Sequence, residues 1–358
     1  GMLRLKQPSE KTFLTPFGEM TLRRNLYQAD LGGPAYVPLD EQWGMVGEYA
    51  TPEVQDCILF GAAHLTPKEV ESLLKKSSLF QPSEQAIKNI VNKTGAFIEA
   101  HGDALNVAIR TEEDVPSGTQ VVVASMDGVN VLLREHGKRT GRPKERPGEK
   151  ADLEAASTYK NAMVGSISFY GIEVNSEGEV EPVRLRSQYI ARMPESHFPT
   201  FKAQFETEVD DVEETVGERV TKVLLNDGHR TIWNYIDSNE RFAAYEKLID
   251  FYHTSEHLSH AAEALFGKKS EAAKDWYEKW HDKFLEEEDA ALGVIRSMDY
   301  YAKKLNLPKS RWKDLKKEQT FFQRNHPRMT YAEFIRRGLP IGSGPVEAAG
   351  KSVVKTRM

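Results

Sequence analysis

The sequence contains a single cysteine, Cys57, among its 358 residues. One thiol cannot form an intramolecular disulfide or a cysteine-rich zinc site, so both kinds of scaffold are excluded and a reducing cytoplasm is expected. No stretch approaches the roughly 20 consecutive apolar residues that a membrane-spanning helix needs. The first residues, Gly1 to Arg4, contain no apolar segment, so no secretory signal is expected.

The chain also lacks an excess of positive charge. It has 48 Lys and Arg against 54 Asp and Glu, a net charge of −6, which does not by itself indicate a nucleic-acid-binding protein. The basic residues are unevenly distributed, however. Residues 134–150 contain seven Lys and Arg against three Glu, and residues 303–317 contain seven against one Asp. Either segment alone is most simply a solvated surface.

The length predicts two or three domains, and the N-terminal third has a pattern of its own. Alternating apolar residues in 13–37 predict a β-ribbon. Thr66-Pro67 is a helix start, and a break at Pro82 precedes a second helix. Two helices joined by a short turn are compatible with a DNA-binding helix-turn-helix and equally with ordinary packed helices. We treat residues 1–115 as one β-ribbon and helical, helix-turn-helix-like region that is expected to bind DNA.

From residue 116 onward the pattern is that of an α/β domain. Residues 119–126 form a β-branched run typical of a strand buried on both faces, and Asp127-Gly128 favours a hairpin turn into a returning strand at 129–133. Further strands are predicted at 162–172, 220–226 and 247–252, with a helix over 198–214. This order predicts an RNase H-like mixed five-stranded sheet with helices on both faces.

The remainder of the chain is helical in pattern. We predict that residues 116–253 form the first part of the core and that residues 254–336 form a large all-helical insertion. Residues 337–358 would then supply the last helix of the core.

Two carboxylates follow strands of the predicted sheet. Asp127 and Asp227 each precede a glycine, and both pairs can be read simply as tight turns. If the two strands are parallel neighbours, both side chains emerge at the same edge, where they repel each other unless a cation lies between them. Carboxylate oxygens with water and phosphate are the ligands that Mg²⁺ favours. The sequence therefore predicts a metal site at this edge.

A third carboxylate, Glu347, follows a Gly-Ser-Gly-Pro segment and would lie in the first turn of a helix. Gly350, one turn later, lacks a side chain and would allow that helix to approach the sheet closely. The alternative is a solvated glutamate that pairs with Lys351 at i+4.

Three histidines, His253, His257 and His260, recur at helical spacing and form an alternative candidate metal site, for zinc. Their order differs from the His-Glu-x-x-His pattern of zinc hydrolases, so the general base of that mechanism is misplaced. His253 and His229 are instead expected to lie beside the carboxylates and to contact phosphate.

Three segments together resemble the bacterial insertion-sequence transposases that use a DDE triad, and in particular the Kra-type group. They are VVVASMDGVNVLLRE, KVLLNDGHRTIW and IGSGPVEAAGKSVVKTRM, and the segments LIDFYHTSEHLSHAAEALFG and PFGEMTLRRNLYQ add to the similarity. The resemblance implies a transposase that binds insertion-sequence ends and cleaves and joins DNA. Asp127, Asp227 and Glu347 would be its catalytic residues and would bind Mg²⁺, with two ions present and Mn²⁺ as a substitute.

The resemblance also implies partners and a location. These are double-stranded DNA, as element ends and as target, a homodimer or larger synaptic assembly, and the nucleoid of a bacterial cytoplasm, without a membrane. Basic side chains are expected to contact DNA phosphates, namely Lys138, Arg139, Arg142, Lys144, Arg146, Lys313, Lys316 and Lys317. Because this family usually continues further than Met358, a truncated, catalytically inactive transposase-derived DNA-binding protein is the alternative.

Overall fold

The computed structural model describes residues 3–29, 33–78, 80–112, 115–133, 159–217 and 219–355. Contacts divide the chain into two compact units, one built from residues 1–114 and the other from residues 115–355. Within the described ranges, every helix is too short or too polar to cross a membrane.

In its described residues, the N-terminal unit combines an antiparallel β-ribbon with five helices. Its elements are β1 (Leu3–Thr15), β2 (Gly18–Ala29), α1 (Pro38–Gln42), α2 (Pro52–His64), α3 (Pro67–Ser77), α4 (Glu84–Ala100) and α5 (Gly102–Glu112). The ribbon begins at Leu3 and ends at Ala29, so the predicted range of 13–37 is wrong at both ends. The start was not predicted because polar and apolar residues do not alternate cleanly in the first half of β1.

Helices α3 and α4 of this unit begin where the sequence predicts, after Thr66 and after the break at Pro82. Thr66 accepts a hydrogen bond from the Glu69 amide, and the Glu69 side chain accepts from the Thr66 amide, so a capping box starts α3. Helices α2, α3 and α4 pack around one small apolar core, whose buried members include Val54, Ile58, Val70, Leu74 and Ile87.

The second unit is an α/β domain around one five-stranded mixed sheet. Its first elements are β3 (Val121–Leu132), β4 (Tyr159–Val174), β5 (Val180–Arg192), α6 (Pro199–Thr215), β6 (Thr221–Asn226), α7 (Arg230–Asp237) and β7 (Glu246–Ile249). The strand order is β5-β4-β3-β6-β7. Strands β3, β4 and β5 pair antiparallel, whereas β3 with β6 and β6 with β7 pair parallel. The predicted mixed sheet is thus confirmed.

The predicted hairpin at Asp127-Gly128 is wrong. Strand β3 continues through both residues, and Asp127 pairs with Val164 and Gly128 with Met163 on β4. Residues 129–133 are therefore mostly the second half of β3 and not a returning strand. An Asp-Gly pair favours a turn only where no partner strand holds the chain extended, and here β4 supplies that partner from more than 30 residues away.

Two other strand predictions also need correction. Strand β5 was missed because its apolar residues alternate with charged ones, as in an edge strand that is only partly buried. Strand β7 ends at Ile249, and the next helix begins at Phe251, so the prediction of a strand to Tyr252 is wrong at its C-terminal end.

The rest of the second unit is helical. Its elements are α8 (Phe251–Phe266), α9 (Glu271–Glu286), α10 (Ala290–Lys304), α11 (Lys309–Asn325), α12 (Tyr331–Arg336) and α13 (Gly344–Ala349). Helices α8 and α11 pack closely, and the Arg311 guanidinium donates to the carbonyl oxygens of Ala264 and Leu265 near the end of α8. The main core extends from the sheet into these helices, with Leu258, Phe284 and Phe322 fully buried.

Candidate metal centre

Aspartates lie side by side just beyond the point where the parallel pairing of β3, β6 and β7 ends. Ala124 on β3 lies opposite Leu224 on β6, and Asn226 lies opposite Ile249 on β7. Extending this register aligns Asp127 with Asp227 and Asp227 with Asp250. The structure therefore brings together the two predicted aspartates and adds a third at the same level.

Asn226 links these strand ends. The β3–β6 ladder ends at Ala124, and beyond it the buried Asn226 side chain accepts a hydrogen bond from the Met126 amide at 2.6 Å. The Asn226 carbonyl accepts from the Asp250 amide at 2.8 Å. One residue thus fixes the backbone immediately before Asp127 and at Asp250, and it directly precedes Asp227.

Asp227 begins a turn into helix α7. Its Oδ1 accepts a hydrogen bond from the His229 amide at 2.9 Å. The Trp233 indole donates to the Asp227 carbonyl at 2.6 Å, and Arg324 donates to the Gly228 carbonyl at 2.6 Å. These bonds fix the backbone at Asp227 and at the turn that follows it.

Glu347 lies in the first turn of α13, as predicted. Helix α13 packs through Val346 and Ala349 on the second half of β3, which follows Asp127. A Cβ on Gly350 would come within 2.9 Å of Val129 Cγ2. The close approach expected at Gly350 is thus confirmed. The Glu347 side chain is exposed and also lies 2.9 Å from Lys351 Nζ, the pair that the alternative interpretation predicts.

Asp250 is a residue that sequence reasoning missed. It caps α8 by accepting from the His253 amide at 2.8 Å, and its other oxygen accepts from the Ser343 amide at 2.5 Å and hydroxyl at 2.8 Å. The Phe251 amide also donates to the Ile341 carbonyl at 2.9 Å. Asp250 therefore ties the end of β7 to the segment that carries Glu347. Its position after a buried strand, like that of Asp227, was the available signal.

The acidic side chains surround one cavity of about 250 Å³. Its lining includes Asp127, Asp227, Asp250 and Glu347, together with His253 and Glu256. Burial raises the pKa of Asp127, and the negative charges of Asp227 and Glu347 raise it further, against the lowering effects of the Gly128 amide and of Lys355. The cavity thus gathers carboxylates around Asp127, whose ionised form is disfavoured, and a divalent cation would relieve this repulsion.

A second cavity of about 250 Å³ shares the lining residues Asp127 and Asp227 with the acidic cavity. Its walls are largely aromatic and aliphatic, and its polar groups include Lys202, Asn161 and His229. His197 and Phe198 have positive φ angles of 60° and 55°, so the backbone at this wall is strained. The two histidines predicted beside the carboxylates therefore lie in different cavities, His229 in this one and His253 in the acidic one.

The predicted histidine cluster has a different composition in the structure. His257 and His260 group with Glu318 of α11, while His253, whose ring centroid lies 4.8 Å from that of His257, lines the acidic cavity. The zinc set His253, His257 and His260 is therefore wrong in one member.

The predicted DNA-contacting residues separate into two groups. Lys138, Arg139, Arg142, Lys144 and Arg146 lie outside the described residues. Lys313, Lys316 and Lys317 are exposed on α11.

No family model matches this chain, and no curated protein matches it in sequence. The function is therefore inferred from the geometry of the site and from the sequence motifs.

Proposed function

We propose that this protein is a DDE transposase that binds insertion-sequence ends and catalyses metal-dependent cleavage and strand transfer of DNA. The observation that carries the proposal is the convergence of Asp127, Asp227 and Glu347 on one cavity. These residues come from three distant segments, and each of the three main segments that resemble the transposase family contributes one of them. Phosphoryl transfer through metal ions needs such a group of carboxylates.

The donor set fits Mg²⁺, with Mn²⁺ as a substitute. Asp127, Asp227 and Glu347 would hold the ions, two in number, and leave coordination positions for water and phosphate oxygens. The raised pKa of Asp127 supports this assignment, because a partly buried carboxyl beside two others ionises readily only when positive charge is near. When bound, such ions polarise the phosphate and lower the pKa of water.

The chain's own residues would position the DNA around this centre. Asp250 and Asn226 hold the carboxylates in place through the hydrogen bonds described above. His253, which lines the acidic cavity, would donate to a phosphate oxygen. In the second cavity the Lys202 amine would contact the neighbouring phosphate, and the walls formed by Phe198 and Phe201 would accept a nucleobase.

The proposal includes the finer features of the fold. The mixed sheet would be RNase H-like, with α8 to α12 as an insertion before the glutamate helix. Two features support this: the two parallel pairs follow three antiparallel strands, and Glu347 comes from a separate C-terminal helix. Helices α3 and α4 of the N-terminal unit would read element ends, and Lys313, Lys316 and Lys317 would contact phosphates. Two copies would pair to join two ends.

The test is DNA cleavage by the full chain on fragments that flank its own coding sequence, with Mg²⁺ or Mn²⁺. We expect strand cleavage at element ends, and losses of more than about 100-fold in Asp127→Asn, Asp227→Asn and Glu347→Gln. Glu278→Gln is the matched control, because Glu278 is also an exposed helical glutamate with a lysine four residues away.

Two results would contradict the proposal. Specific binding of the flanking DNA without cleavage in either metal would identify a catalytically inactive DNA-binding protein. Equal losses in Glu278→Gln and Glu347→Gln would show that the effect of Glu347 is not due to its place at the cavity.

A further inference from the structure

Three metal-binding side chains lie on two packed helices, beyond the acidic cavity. His257 and His260 lie on α8 and Glu318 on α11, and one donor atom of each lies within 4.8 Å of the others. His253 lies one turn earlier on α8 and lines the acidic cavity. The three side chains include no carboxylate of the candidate triad, and the His257 ring lies 4.8 Å from the ring of His253.

Two of the donors are held in place by the surrounding protein. Only 4% of the Glu318 side chain is exposed, and its Oε2 lies 2.5 Å from His257 Nδ1. The other carboxylate oxygen lies 3.9 Å from Nζ of the exposed Lys317. The His257 ring stacks on Phe321, with 3.6 Å between ring centroids. His260 is exposed and can change rotamer at low cost.

We propose that His257, His260 and Glu318 bind one zinc ion at a site that joins α8 to α11, with water as the fourth ligand. Two imidazoles and one carboxylate are a donor set that zinc prefers, whereas Mg²⁺ favours oxygen ligands. Zinc with bonds of about 2.1 Å places tetrahedral ligand atoms roughly 3.4 Å apart. To reach that geometry, the contact between His257 Nδ1 and Glu318 Oε2 must lengthen from 2.5 Å, and the exposed His260 side chain must rotate towards them.

The zinc site would stabilise the elements that hold two aspartates of the acidic cavity, Asp227 and Asp250. Helix α8 begins at the Asp250 cap, and α11 contacts the end of β6 through the bond from Arg324 to the Gly228 carbonyl. A metal ion that joins α8 to α11 would therefore stabilise the contacts that hold the ends of two strands, β6 and β7. The inference does not depend on the proposed transposase activity, since it concerns only metal binding and stability.

The test uses the full chain, metal-free, without a polyhistidine tag and with excess Mg²⁺ to occupy oxygen-rich sites. We expect one zinc per chain by equilibrium dialysis, a rise in melting temperature on zinc addition, and, with Co²⁺ in place of zinc, the visible absorption of a tetrahedral site. Each readout is independent of DNA.

The decisive variant is His260→Ala, because His260 is exposed and its loss should leave the metal-free melting temperature unchanged. We expect it to lose both the bound zinc and the thermal shift, and Glu318→Gln to lose them as well. The control is His64→Ala, an exposed helical histidine of the other unit, which should retain both. Asp127→Asn should also retain them.

Three results would overturn the proposal: a wild-type chain that binds no zinc, a His260→Ala variant that binds zinc like the wild type, or loss of zinc in Asp127→Asn. The last would place the ion in the acidic cavity. Equal loss in His260→Ala and His64→Ala would reveal only general surface binding and would also contradict the proposal.

Discussion

At the scale of single residues, Asp127 is the group in which stability and the proposed activity conflict. Its ionised form is disfavoured in the folded protein by burial and by the charges of Asp227 and Glu347, so its pKa is raised. A carboxyl of this kind destabilises the folded state when no cation is bound, and it binds a cation more strongly for the same reason.

We predict that Asp127→Asn is more stable than the wild type at neutral pH in the absence of divalent ions. Because the pKa of Asp127 is higher in the folded than in the unfolded chain, folding takes up protons and the destabilising effect grows with pH. It is fully present above the raised pKa and absent below the unfolded value near 3.8. The stability difference should therefore shrink as the pH is lowered.

The measurement is the urea midpoint of both proteins at a series of pH values, with chelator present. Addition of Mg²⁺ should then stabilise the wild type and leave Asp127→Asn nearly unchanged. A variant less stable than the wild type at neutral pH without metal would show that the protein already compensates the charge of Asp127.

At the scale of elements, the segment before α13 determines where Glu347 lies, and Asp250 holds that segment. Asp250→Ala removes the α8 cap and the bonds to Ser343. We expect a stability loss of about 1–2 kcal/mol from the cap and a loss of about 10–100-fold in metal-dependent activity from the misplaced Glu347.

The matched control is Ser270→Ala, which removes the equivalent cap of α9, where Ser270 accepts from the Ala273 amide at 3.1 Å. It should cost a similar amount of stability and leave activity unchanged. Chemical denaturation and the DNA cleavage assay together check the pair, and an equal loss of activity in both variants would assign the effect to stability alone.

The sequence predicts the parallel strands of this site better than it predicts their neighbours. Residues 119–126 and 220–226 are short β-branched or aliphatic runs, and burial on both faces is the only environment that suits them. Strand β5 escaped prediction because a half-buried edge strand carries charged residues such as Arg184 and Arg186. The turn expected at Asp127-Gly128 failed because pairing with β4 is a long-range contact that local propensity does not contain.

The members of the site were predictable to different degrees. Asp127 and Asp227 stand out because a glycine follows each of them, Glu347 because it follows a Gly-Ser-Gly-Pro segment, and all three by resemblance. Asp250 was hidden because the predicted strand ran past it to Tyr252. Glu318 could not be found from sequence, since it meets His257 only through the packing of α8 against α11, 61 residues away.

At the scale of the whole molecule, each unit has a core of its own. The main core includes only residues from Val115 onward, and the small core of α2 to α4 includes none of them. We therefore predict that residues 115–355, produced alone, unfold cooperatively and bind Mn²⁺ with the affinity of the full chain.

The same fragment should lose the preference of the full chain for flanking DNA over unrelated DNA, because α3 and α4 are absent. Calorimetric titration with Mn²⁺ and competition binding with the two DNAs measure the two properties. A fragment that keeps the preference would move end recognition into the second unit.

The central claim is that Asp127, Asp227 and Glu347 together bind divalent metal. Anomalous diffraction from a crystal soaked in Mn²⁺ tests it most directly, with Asp127→Asn as the control crystal. We predict one or two Mn²⁺ peaks between the three carboxylates and none there in the variant. Mn²⁺ bound elsewhere in a crystal whose acidic cavity is open to solvent, with no peak between these carboxylates, would contradict the account.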